Sequence, residues 1–172
     1  MTLARGAFAV AAVVVALALQ ISLLPHLAWE GVVPNLVLLV VVAAALTRSP
    51  RFAMALGFVG GLLMDLVPPA DHTAGRWALS LVLVAWFASS ARRGTRPTWL
   101  QSVLTAAAAS FIGSSVFALT GMLLSDPETS TGEMLAVIGA GVGFDVVCAT
   151  FVLPVTMLAL RRLGAAGERE RP

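Results

Sequence analysis

The feature that most restricts this chain is a succession of six apolar runs, four of them closed directly by proline or arginine, with little polar sequence between them. They cover residues 6–24, 32–46, 52–67, 76–91, 98–124 and 134–160. A hydrocarbon layer about 30 Å thick is crossed by about 20 apolar residues in an α-helix. Within lipid every backbone N–H and C=O needs a partner inside the protein, which a helix supplies within its own segment. The expected fold is an all-α integral membrane protein with about six transmembrane helices in one bundle. Charged residues make up 12% of the 172, against about 25% in a soluble domain, so no separate water-facing domain is expected. Residues 1–160 read as one transmembrane domain and 161–172 as a polar, disordered cytoplasmic tail.

Charge placement orients the bundle. Assigning the turns alternately to two sides puts Arg5, Arg48, Arg51, Arg92, Arg93, Arg96, Arg161, Arg162, Arg169 and Arg171 together, leaving only Arg76 near the other face. Glu30, Asp71, Asp126, Glu128 and Glu133 fall on that second side. Cytoplasmic loops carry the arginine excess, so six crossings with both termini cytoplasmic follow. The first run is longer than the ~7–15 apolar residues of a signal peptide and no small-x-small site follows it, so it reads as a retained helix. Runs two to four fall short of ~20 residues, and the third and fourth could instead form a re-entrant hairpin with the same arginine placement.

Little in the sequence points to catalysis. The phosphate-loop, zinc-protease, paired-cysteine and nucleophile-elbow motifs are absent. His26 and His72 fall in outer turns as solvated residues, Cys148 reads as a small buried hydrophobe, and neither a metal nor a cofactor is expected. A pI near 10 reflects a net charge of only +2 with no lysine, so nucleic acid is not an expected partner. The Arg92, Arg93 and Arg96 turn is a topology signal, with contact to anionic lipid or a cytoplasmic protein as the sharper alternative.

Two places stand out. Gly57, Gly61 and Asp65 are spaced by four and share a helix face, and the glycine pair permits close approach of a second helix. Arg76 lies just across the following turn, within reach of Asp65 in a helical hairpin. Asp145 lies deep in the sixth run, on a face with Gly141 and Ala149. An unpaired charge at that depth is costly, so a hydrogen bond across the bundle is expected, with Thr105, Ser110, Ser114 and Ser115 as candidate donors. Pro34 suits the first turn of the second helix, and Pro154 is a candidate kink.

The run Pro34-Asn35-Leu36-Val37-Leu38-Leu39, followed by Gly57-Phe58-Val59-Gly60-Gly61-Leu62-Leu63-Met64-Asp65-Leu66 and by Gly75, Ala78 and Leu79, resembles the rod-shape-determining protein MreD family. The second stretch matches that family's G-F-x-x-G-L-x-x-D pattern, while Asn35 stands where the family often has Asp. The resemblance implies a bundle like the substrate-binding subunits of energy-coupling-factor transporters. It also implies a non-catalytic scaffold role in the bacterial cytoplasmic membrane, beside MreC, MreB, RodA and a class B penicillin-binding transpeptidase in peptidoglycan synthesis. Pro34, Asn35, Gly57, Phe58, Gly61, Asp65, Gly75 and Arg76 become its helix-packing or partner-binding residues, with Asp145 as a buried polar group. A vitamin-like transporter subunit is the main alternative, suggested by the same fold likeness and the two buried carboxylates. A membrane-embedded hydrolase would need paired acid and base groups at one depth.

Overall fold

The computed structural model describes residues 2–27, 32–68, 73–92, 94, 97–124 and 131–166. Six α-helices follow one another: α1 (Thr2–Ser22), α2 (Leu36–Thr47), α3 (Pro50–Leu66), α4 (Arg76–Ala91), α5 (Trp99–Leu123) and α6 (Thr131–Ala166), with a short 3-10 turn at Leu24–Leu27. α2 is the centre. It touches all five other helices, which close a ring around it in the order α1, α3, α4, α5, α6 and back to α1. Ten of its twelve residues are buried, on every face. A helix apolar all round belongs inside, and here the surrounding medium is protein rather than lipid.

Length separates the helices into two kinds. The segments Gly6–His26, Trp99–Leu123 and Gly132–Arg162 are long and apolar enough to cross a membrane. α2, with 12 residues, rises only about 18 Å, and α4, with 16, about 24 Å. Both are shorter than a hydrocarbon layer of ~30 Å is thick. α3 has 17 residues. The six expected helices are present, while three of them meet the length and hydropathy of a free-standing span. A short helix is tolerable in a bundle because its neighbours, not lipid, receive its backbone ends.

Local sequence explains most helix starts. Ser49 caps α3, its hydroxyl accepting from the Phe52 amide, and Pro50 supplies the first helical residue. Thr98 caps α5 through the Gln101 amide. Asn35 caps α2, its side-chain oxygen accepting from the Leu38 amide at 2.9 Å. The second helix thus begins at Leu36 rather than near residue 32, and Pro34 sits buried one residue before the cap instead of in the first turn. The asparagine amide competes better for the exposed N–H groups than a proline-led turn would. α6 continues through Arg161 and Arg162 to Ala166, past the boundary expected at residue 160, and runs unbroken through Pro154.

Candidate functional site

The two carboxylates singled out in the sequence each close the start of a short helix. Asp65, 2% exposed, stands at the end of α3 and reaches the first turn of α4. Its Oδ2 accepts from the Gly75 amide at 2.9 Å and the Ala78 amide at 3.2 Å, and its Oδ1 from the Trp77 amide at 3.0 Å. Gly75 occupies the cap position with φ +100°, a left-handed conformation that favours glycine. It has no side chain with which to cap α4, so Asp65 supplies the missing acceptor from the neighbouring helix. A negative charge at a helix N-terminus also gains from the macrodipole.

Close approach of α3 and α4 makes this reach feasible. A Cβ added at Gly57 would lie 2.6 Å from the Leu81 carbonyl oxygen, and one at Gly61 would lie 2.5 Å from the Ala78 nitrogen and nearer still to its Cα. These glycines place backbone against backbone, as small residues do in membrane bundles. Gly60 turns instead toward Val37 of α2 and Val13 of α1. Phe58 lies on the other face and is half exposed.

Arg76 follows Gly75 and is buried. Its Nη2 donates to the Phe117 carbonyl of α5 at 2.8 Å, and its guanidinium lies 4.0 Å from the Phe117 ring centroid. Trp77 stacks on the same ring at 4.4 Å. The α4 start is thereby tied to α3 through Asp65 and to α5 through Arg76.

Asp145 performs the same task for α2. Its Oδ1 accepts from the Asn35 backbone N–H at 2.6 Å and its Oδ2 from the Ser110 hydroxyl at 2.6 Å. Gln20 of α1 takes the Val37 amide at 3.4 Å. Residues from α1, α5 and α6 thus converge on the first turn of the central helix, whose N–H groups would otherwise lie unpaired in an apolar interior. Ser110 is the candidate donor that faces Asp145; Thr105 instead donates to the Gln101 carbonyl within its own helix. Gln20 and the role of the Asn35 backbone were not foreseen, although Asn35 before a long apolar run carries the signature of a cap. Replacing Ser110 with alanine is expected to cost about 1 kcal/mol, the range of a buried hydrogen bond in a membrane bundle, read as a lower thermal transition in detergent.

Depth distinguishes the two caps. Gly60 packs on Val37 at the start of α2, and Asp65, five residues further along α3, lies about 7 Å beyond that level. Asp65 therefore sits nearer one end of the bundle, whereas Asp145 is level with the α2 start.

At the other end of α2, Arg48 Nη2 donates to the Leu160 carbonyl of α6 at 2.5 Å, and Arg92 Nη1 donates to the Arg48 carbonyl at 3.0 Å. Arg92 is thus built into the bundle; Arg93 and Arg96 lie outside the described residues. So does His72, while His26 lies in the turn after α1. Among the described residues no three His, Cys, Asp or Glu side chains gather in a metal-binding group.

The family model for rod shape-determining protein MreD matches residues 3–138, most of the chain and all of the stretch from Pro34 to Leu79. No curated protein matches, and no solved structure does.

Proposed function

The chain belongs to the rod shape-determining protein MreD family, and from that membership we propose that it is a non-catalytic scaffold of the cell-elongation machinery. Family membership implies a role in rod shape determination. The finer reading is that the bundle binds MreC and, with MreB, RodA and a class B penicillin-binding transpeptidase, directs where peptidoglycan is inserted. It sits in the cytoplasmic membrane as six crossings with both termini cytoplasmic, in an arrangement of the energy-coupling-factor substrate-subunit type.

The observation that supports a scaffold is the use made of the buried carboxylates. Asp65 and Asp145 motivated the transporter alternative, yet each accepts from backbone N–H groups at the start of another helix, and Asp145 also from the Ser110 hydroxyl. Their chemistry is spent on architecture. Such a bundle holds a rigid shape and presents a fixed outer surface to partner helices.

Co-purification of the tagged protein from its own membranes in mild detergent, with mass spectrometry of what is retained, tests this reading. MreC or the wall-synthesis enzymes are the expected companions. Recovery of ATPase subunits with a coupling membrane protein would replace the scaffold by a transporter subunit.

A further inference from the structure

Between the start of α5 and the end of α6 lies a groove of about 400 Å³, lined by Pro97, Trp99, Val103, Leu153 and Met157, with Arg161 also in its lining. The groove walls are mostly apolar, and Trp99 is exposed. Tryptophan favours the headgroup level of a membrane, where its ring is apolar and its N–H stays wet.

Among the described residues, the charge around the groove has one sign. Arg161 carries an Nη2 that is buried and has no hydrogen-bond partner. Arg48 reaches the backbone of the preceding residue, Leu160, and Arg92 is bonded to the Arg48 carbonyl, so three arginines gather at this end. Among the described residues the acidic groups are Asp65, Glu133 and Asp145. Asp145 is sixteen residues before Arg161, about 24 Å along the helix; Glu133 lies further back, and Asp65 is at the far end of α3 from this cluster. No described carboxylate lies near Arg161.

We propose that this groove is a binding site for one anionic phospholipid, its acyl chain lying along α5 and α6 and its phosphate at the Arg161 guanidinium. Charge complementarity selects an anionic headgroup, and the apolar groove continuing from the arginine selects a lipid over a soluble anion. The bound lipid would bridge α5 and α6 at the arginine end of the bundle.

Native mass spectrometry of the full chain in neutral detergent, titrated with equal phosphatidylglycerol and phosphatidylcholine of the same chain length, tests the site. The first lipid retained is expected to be phosphatidylglycerol, with a preference of several-fold. Arg161→Gln should reduce that preference about fivefold, the factor for one arginine at an anionic surface, while Arg162→Gln, at the exposed neighbouring position, leaves it unchanged. Arg161→Lys retains part of it, which separates loss of the site from loss of the fold. Equal retention of the two lipids by the unaltered protein overturns the proposal. So does an equal effect of the two glutamine variants, which would mean diffuse charge, or displacement of the lipid by inorganic phosphate. A dimer that excludes lipid would assign the groove to a second copy of the chain.

Discussion

Gly61→Leu is expected to prevent α3 and α4 from closing, lowering stability by more than about 3 kcal/mol, beyond the usual cost of overpacking. The reason is what the new side chain meets. A flexible side-chain tip could swing aside, but the obstacle is the Trp77–Ala78 backbone, which moves only if α4 moves. Separating the helices by even a methyl group would also pull Asp65 away from the Gly75, Trp77 and Ala78 amides, so packing and capping fail together. Cys148, the single cysteine and partly buried, serves as a reporter: a thiol-reactive dye should label it at a temperature about 6 °C or more below that of the unaltered protein. Gly139→Leu is the matched control, because nothing lies within 4 Å of a Cβ there, and its transition should shift little. Equal transitions for all three proteins would mean that the backbone contact is absent. If MreC is the partner, the Gly61 variant should also retain less of it while still inserting into the membrane.

Asp145→Leu should give two effects of opposite sign. Insertion becomes easier, because an aspartate at the centre of a spanning helix costs about 2.5–3.5 kcal/mol on insertion scales. Folding of the inserted chain becomes weaker, by about 2–4 kcal/mol, the range for leaving a buried donor without its charged acceptor. The Ser110 hydroxyl can turn back to a carbonyl of its own helix, but the Asn35 N–H cannot rotate and stays unpaired at the start of α2. The leucine also removes the cost of leaving a carboxylate in lipid, which is part of what draws α6 onto α2. Asp145→Asn keeps an acceptor and should lose about 1 kcal/mol. A leucine variant that unfolds with the unaltered protein would show that the carboxylate does not hold α2. A double-mutant cycle with Ser110→Ala isolates the hydroxyl's share.

How far the sequence led differs from element to element. Helix boundaries at Pro50, Arg76 and Trp99 were readable within a residue or two, because proline, glycine and capping side chains act on their own neighbours. The Gly57–Gly61–Asp65 face was readable because a spacing of four fixes a common face in any α-helix. Its partner was also within reach, since a short turn brings α4 back beside α3. The start of α2 was misplaced by reading Pro34 as a first-turn residue when Asn35 closes the helix. Three helices match a free-standing span, because hydropathy along a run does not report how much of it neighbouring helices will enclose.

By itself, then, the sequence determined an all-helical membrane chain, a glycine face with an acid at its end, and the gathering of most arginines in alternate turns. These follow from backbone hydrogen bonding in lipid, from helical periodicity and from the asymmetry of membrane insertion. Only the tertiary structure decided that α2 is the enclosed centre of a five-helix ring, and that Asp145 meets the amide of Asn35 at a separation of 110 residues. Lipid tails are as apolar as leucine, so an apolar run carries no mark of whether it will face acyl chains or protein. Which groups then meet inside depends on the depth and rotation of each helix, set by the sum of all its packing contacts.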